Sequence, residues 1–330
     1  MKTIIIAEAG VNHNGSVKIA KKLVDIAKKA NADYVKFQSF CHQKLVTKKA
    51  SKAKYQKVNS TTNESQGKML QRLQLSKSGH MEILQYCKKK KIKFLSTAFD
   101  IDNLKFLLKK KIDFIKIPSG EITNLPLLKF ISKQKKKILL STGASTLNEI
   151  SNALKILRIK NKDMTILQCN SAYPTPIKDL NLKTLITFKK KFKCNIGLSD
   201  HSLSLIAPSS AVAMGASVIE KHFTLSKKMI GPDHKSSLEP NELIKMIKNI
   251  RETEFSLGSK KKLVTKSEEG NKKIIRKSLV ASQYIKKDQK LSINNITSKR
   301  PAGGISPMDI NKVLGKSAKK NFKIDELIKI

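Results

Sequence analysis

In DYVKFQS (33–39) the apolar Val35 and Phe37 alternate with the polar Lys36 and Gln38. Successive side chains of a strand point to opposite faces, so Lys36 and Gln38 share one face and Val35 and Phe37 the other. DFIKI (113–117) repeats the pattern, with Ile115 and Ile117 set against Lys116. Further short strands are expected at TIIIAEA (3–9), KFLST (93–97), KILLST (137–142), TILQC (165–169), NIGLSD (195–200) and SVIEKH (217–222). Amphipathic helices fall between them. Ser16 reads as an N-cap before the stripe Val17, Ala20, Val24 and Ala27. Thr146 precedes Ile150, Ala153, Leu154 and Leu157, and Pro240 opens a helix with Leu243, Met246, Ile247 and Ile250 on one face. Eight β–α units in about 255 residues is the arithmetic of a (β/α)8 TIM barrel. A doubly wound open sheet is the alternative, with fewer strands. In a barrel the apolar pairs pack under the helices, which turns Lys36, Gln38 and Lys116 into the interior.

Outward from this core the pattern changes twice. Residues 40–75 are polar and poor in strand signal, which reads as a long functional loop on the catalytic face, a lid or substrate collar. After Leu257 the periodicity stops. Domains are expected at 1–257 for the barrel and 274–330 for a small β-rich unit, with 258–273 as a linker. The apolar run in MKTIIIAEAG is too short for a signal peptide and reads as the first strand. No stretch is long and apolar enough to span a bilayer. Cys41, Cys87, Cys169 and Cys194 form no C-x-x-C, so reduced thiols and a cytoplasmic location are expected.

The chain of 330 residues has 67 Lys plus Arg against 25 Asp plus Glu, a formal charge of +42. Only five of these bases are Arg, the residue whose planar fork suits bases and phosphates. The lysines spread along helix faces, and no zinc-finger spacing or aromatic stacking platform accompanies them. A solvated basic surface is the reading, with no specific nucleic-acid partner. A polyanion-binding protein is the competing class.

A lysine inside a barrel must be paired, because burying a lone ammonium is prohibitive. Three readings stay open for Lys36 and Lys116: a structural Lys–Glu pair, an anionic ligand, or a Schiff-base amine as in a pyruvate aldolase. Thr97, Ser119, Ser141 and Ser199 also fall at strand ends, where barrel active sites lie, and hydroxyls with two ammonium groups suit a phosphate and a carboxylate. His201 and His222 end neighbouring strands, a pair able to hold a first-row dication with positions left for water and substrate. Glu8 ends the strand that meets them on closure, and Asp233 and His234 follow. Zinc held by three or four protein ligands is disfavoured. Neither SGE (119–121) nor STG (141–143) matches a dinucleotide or P-loop fingerprint.

The motifs AEAGVNHNGS (7–16), VKFQ (35–38), FLSTAFD (94–100), IKIPSGE (115–121), LLSTGAST (139–146), YPTP (173–176), GLSDHS (197–202), EKHFTL (220–225), GPDHKSSLEP (231–240) and KRPAGGISP (299–307) together resemble the sialic acid synthase family, which includes N-acetylneuraminate, legionaminate and pseudaminate synthases. The resemblance implies a TIM barrel followed by an antifreeze-like (SAF) domain, in a domain-swapped homodimer. It implies condensation of phosphoenolpyruvate with an N-acetylmannosamine-type sugar to a nine-carbon sialic acid, with release of phosphate. The alternative is a legionaminate or pseudaminate synthase acting on a diacetamido-trideoxy hexose. By the same resemblance, His201 and His222 hold Mn2+ or Mg2+, and Glu8 orients or deprotonates the attacking water. Lys36, Thr97, Lys116, Ser119, Ser141 and Ser199 match the positions that hold phosphate and carboxylate. Gln38, Glu121, Ser171, Tyr173 and Asp233 match sugar-side or metal-water positions, and Arg300 matches an arginine that the partner's antifreeze-like domain inserts. Ala98, Ala144, Gln168 and Asn170 depart from the family's usual residues, and the stretch 168–171 bears on sugar identity.

Overall fold

The computed structural model describes residues 2–59 and 64–330. All eight expected strands form: β1 Ile4–Gly10, β2 Tyr34–Ser39, β3 Lys93–Ala98, β4 Phe114–Ile117, β5 Lys137–Ser141, β6 Met164–Cys169, β7 Asn195–Asp200 and β8 Val218–His222. They make one parallel sheet in the order β3-β2-β1-β8-β7-β6-β5-β4. The two ends of that order, β3 and β4, pack side by side, so the sheet closes into a barrel and the open doubly wound alternative falls.

Helices α1 Val17–Lys29, α2 His42–Leu45, α3 Lys54–Asn59, α4 Gln66–Leu73, α5 Lys77–Lys90, α6 Ile101–Leu108, α7 Leu125–Ser132, α8 Leu147–Leu157, α9 Thr184–Phe192, α10 Ala207–Ala213 and α11 Pro240–Leu257 complete the first unit, Met1–Gly258. Ser16 caps α1 by accepting from the Ile19 amide, and Thr146 and Glu149 form a capping box on α8. Among the described residues, the connection 40–75 is a helical collar rather than a structureless loop. Met69 and Leu73 of α4 bury against Val11 and Phe40, which supplies the apolar anchor that a bare polar loop would lack.

Alternation along the strands sorts the core into two parts. Val35, Phe37, Ile115 and Ile117 face the helix layer. Ile6, Tyr34, Leu95, Phe114, Leu139, Leu167 and Val218 plug the lower barrel interior. Two residues further along each strand, the inward positions become polar.

The second unit spans Ser259–Ile330. The segment expected as a linker, 258–273, instead contains most of helix α12, Lys266–Ile275. A Thr265–Glu268 capping box starts this helix, which overrides the polar composition that suggested a tether. Strands β9 Ser278–Ala281 and β10 Ile296–Lys299 pair antiparallel over a small core that includes Leu279, Ile285, Leu291, Val313 and Phe322. Among the described residues no helix is long and apolar enough to cross a membrane.

Candidate active site

Register brings the polar upper layer together. Glu8 pairs with Lys36 across β1–β2 and with His222 across β1–β8, while Gln38 pairs with Thr97 and Ser199 with Glu220. Above the apolar plug these residues line a cavity of about 180 Å³, shared with Lys116, Ser119, Ser141, Ser171, Tyr173 and His201.

Both interior lysines are ion-paired, and one partner escaped the sequence reading. Lys36 Nζ lies 2.9 Å from Glu8 Oε2 and 3.6 Å from Glu220 Oε2, and donates to Thr97 Oγ1 at 2.9 Å. Lys116 Nζ lies 3.0 Å from Glu220 Oε1, which also accepts from Ser199 Oγ at 2.9 Å. Glu220 therefore sits between two ammonium groups. Burial alone would raise its carboxyl, but Lys116 and then Lys36 hold it far below the usual carboxylate range. Glu8 has mainly one cation. Burial pushes it up to about 7, Lys36 opposes, and the nearby Glu220 charge adds to the rise. Two carboxylates in one site are thus driven apart in acidity by unequal company. Burial works against the charge on Lys36, yet Glu220 and Glu8 outweigh it and hold that ammonium above its ordinary value. The signal for Glu220 was the same period-two rule: on β8, Val218, Glu220 and His222 face inward together.

The hydroxyls separate into engaged and free groups. Ser119 Oγ accepts from the Gly143 amide at 2.8 Å, whereas Ser141 Oγ is buried with no partner among the described residues. A Cβ at Gly143 would stand 2.3 Å from Ser171 Oγ and 2.9 Å from Ser119 Oγ, so only glycine lets both serines reach this wall. Cys169, not singled out in the sequence, also faces the cavity. Burial would raise its thiol, but His201, Ser119 and Lys116 draw it down to about 7.

The two imidazoles lie with ring centroids 5.3 Å apart. His201 Nδ1 contacts the Asn170 carbonyl at 2.6 Å, which assigns the proton to Nδ1 and leaves the Nε2 lone pair facing the Tyr173 hydroxyl at 3.1 Å. Burial pulls His201 down, but Cys169 and the Asn170 carbonyl hold it above its ordinary value. His222 Nδ1 is buried without a partner among the described residues, and burial together with His201 and Lys36 holds this ring well below its ordinary value. Gly10, at φ +51°, makes room for it: a Cβ there would approach His222 Cε1 to 3.1 Å. An orphaned neutral imidazole beside a second ring nitrogen fits a divalent cation. Among the described residues no three His, Cys, Asp or Glu side chains converge as a metal cage, so a two-histidine site would leave positions for substrate.

Within the first unit, two expected residues, Glu121 and Asp233, do not line the cavity. Glu121 sits in a 3-10 turn, Ser119–Glu121, where its carboxylate accepts from Asn124 Nδ2. It faces its own loop because that turn reverses the chain after β4. Asp233 is buried in the β8–α11 connection. There burial raises its carboxyl to about 6 against the pull of His201. Arg300 belongs to the second unit, where its Nε donates to the Ile275 carbonyl at 3.1 Å. Gln168 donates to the Leu180 carbonyl, and with Asn170 it lines a separate cavity of about 600 Å³ that shares Cys169 with the first.

Known proteins are similar to this chain over nearly its whole length. The chain is 49% identical over 331 residues to an N,N'-diacetyllegionaminic acid synthase of Campylobacter jejuni, with 99% of each chain covered. It is 35% identical to a pseudaminic acid synthase of the same species, over 99% of this chain and 96% of that one. A crystal structure of an N-acetylneuraminic acid synthetase from Leptospira borgpetersenii superposes with a TM-score of 0.72 at 31% identity, covering 82% of this chain and 90% of the other. The model of the NeuB family matches residues 23–262, and that of the SAF domain matches 276–330. On these grounds the chain belongs to the NeuB family and carries a C-terminal SAF domain.

Proposed function

We propose that the protein condenses phosphoenolpyruvate with a 2,4-diacetamido-trideoxy hexose to give legionaminate and inorganic phosphate. The N-acetylmannosamine reading expected from the motifs gives way to this alternative because of the 49% identity to a diacetyllegionaminic acid synthase, against 35% to a pseudaminic acid synthase. The observation that carries the reaction class is the pair of buried ammonium groups, Lys36 and Lys116, in one small cavity with Thr97, Ser119, Ser141 and Ser199. That set suits a compact ligand bearing both phosphate and carboxylate. Lys116 is ion-paired with Glu220, which also accepts from Ser199, and this pairing favours an anion-holding ammonium over a Schiff-base amine.

In the reaction, the enol C3 of phosphoenolpyruvate bonds to the aldehyde carbon of the open-chain sugar. Water adds at C2, and the C2–O bond to phosphate breaks. Lys36 and Lys116 exchange their carboxylate partners for the substrate's anions, and the free Ser141 hydroxyl supplies a further donor. Glu8, with a carboxyl near 7, is matched to accept the proton of the attacking water at neutral pH. Gln38, Ser171 and Tyr173 line the acceptor side of the same cavity. His201 and His222 would hold Mn2+ or Mg2+, which when bound acts as a Lewis acid on the aldehyde oxygen.

A panel of acceptors tests the proposal, with phosphoenolpyruvate supplied and products read by mass spectrometry and phosphate release. The panel comprises N-acetylmannosamine, the diacetamido-trideoxy hexose leading to legionaminate, and the related altrose leading to pseudaminate. Preferential turnover of the legionaminate precursor is expected. A preference for either other sugar overturns the substrate assignment, and pyruvate turnover with borohydride trapping of Lys116 overturns the reaction class.

A further inference from the structure

We propose that Tyr55, from the collar between β2 and β3, is a positioning residue for the acceptor sugar, acting through Tyr173. This rests on the condensation just described. The Tyr55 ring stacks on Tyr173 with centroids 4.9 Å apart and planes at 23°, and Tyr173 stacks on His201 at 4.1 Å and 27°. Three rings thus form a continuous pile whose innermost member lines the reaction cavity. The middle ring is also bonded at its tip, since the Tyr173 hydroxyl meets His201 Nε2 at 3.1 Å.

Tyr173 leaves the barrel on an irregular stretch after β6, with no strand partner to fix it. Its orientation is therefore set by the side chains packed on it: His201 and His222 on the inner side, and Tyr55 on the outer face. The helix bearing Tyr55 is itself tied down at its other end: Asn59 Nδ2 donates to the Pro232 carbonyl at 2.9 Å, directly before Asp233. Helix α3 in this way braces two loops of the barrel mouth, one carrying Tyr173 and the other Asp233. The residues proposed to hold phosphate and carboxylate stand on strands, or for Ser119 in the turn directly after β4, and none of them is on α3.

The cavity volume points the same way. At about 180 Å³ it is below the roughly 300 Å³ at which pockets for larger ligands begin, so Tyr173 on its wall bounds the room left for the acceptor. An aromatic face is a natural platform for the C–H-rich side of a deoxy sugar, and its angle sets which sugar fits.

The experiment compares Tyr55→Ala and Tyr55→Phe with wild type in steady-state kinetics for both substrates, with calorimetric binding of phosphoenolpyruvate alone. Tyr55→Ala is expected to raise KM for the sugar by about tenfold, the worth of one aromatic contact, while phosphoenolpyruvate binding stays within twofold. Tyr55→Phe, which keeps the ring, is expected to restore the wild-type KM. Equal sugar KM in Tyr55→Ala and wild type overturns the assignment while leaving the condensation standing. Parallel loss of phosphoenolpyruvate binding in Tyr55→Ala also overturns it, as a merely structural role. Wild-type protein that neither binds nor turns over any acceptor sugar overturns both readings.

Discussion

Lys116 Nζ stands 3.0 Å from Glu220 Oε1 inside the barrel, and both side chains are all but sealed from water. Removing one partner of such a pair strands the other charge. Glu220→Gln is therefore expected to destabilise the fold by about 3–5 kcal/mol, seen as a lowered melting temperature. Inorganic phosphate should then rescue the variant more than it stabilises wild type, because an anion can replace the lost carboxylate between Lys36 and Lys116. Equal phosphate-induced shifts in the two proteins would mean that phosphate does not take the place of the lost carboxylate between these lysines.

Glu8 carries the pH dependence. Burial, helped by Glu220 and opposed by Lys36, raises its folded-state pKa from the ordinary 4.5 to about 7. The folded protein holds this proton more tightly than the unfolded chain does. The resulting stability is complete below about 4.5 and is lost as pH climbs through about 7. Glu8→Gln should flatten that decline in urea titrations at several pH values. If the ionised carboxylate is the base, kcat/KM of wild type rises with pH through about 7, and that limb disappears in the variant. A wild-type profile flat between about pH 5.5 and 8 would remove Glu8 from the proton transfer.

The barrel and most of its polar layer were legible because a strand has a strict period of two. Lys36, Gln38 and Lys116 announced themselves as polar residues on otherwise apolar strands. Glu220 and Cys169 obey the same rule but stood next to louder neighbours. In Glu220-Lys221-His222 charge lies on both faces, since Lys221 turns outward to Asp200. Nothing in residue order tells which charge is inside until register is known. Tyr55 was illegible for a different reason: its value is a stacking contact made across more than a hundred residues from an aperiodic segment. The helix at Lys266–Ile275 had a readable capping box, but no residue of it is buried, so the apolar stripe that betrays most helices is missing.

Outside the barrel wall, Lys221 Nζ binds Asp200 Oδ2 at 2.6 Å and the Ser202 carbonyl at 2.6 Å, bracketing His201. Asp200 Oδ1 in turn accepts from the Ser202 amide at 2.8 Å. Lys221→Met strands the Asp200 charge and frees the loop, with an expected cost of about 3–5 kcal/mol in urea unfolding. The double variant Lys221→Met/Asp200→Leu should recover part of that loss, because no charge is left unpaired. A single-variant cost under about 1 kcal/mol, the level of an exposed pair, would show that the bridge does not hold this loop.

His222 offers the sharpest test of the cation. Among the described residues its Nδ1 has no partner, so truncation orphans no neighbouring group there and the barrel should keep its fold. His222→Ala is expected to lower Mn2+ affinity, measured by calorimetry, by more than the about 10–100-fold typical of residues that merely support a ligand. Turnover should fall to background with circular dichroism unchanged. Wild type stripped with a chelator should behave the same way and regain activity with Mn2+ or Mg2+, because the two histidines alone leave positions that only a cation can use to reach the aldehyde oxygen. Full activity in chelator, or unaltered Mn2+ binding by His222→Ala, would return the two imidazoles to hydrogen bonding with substrate and nothing more.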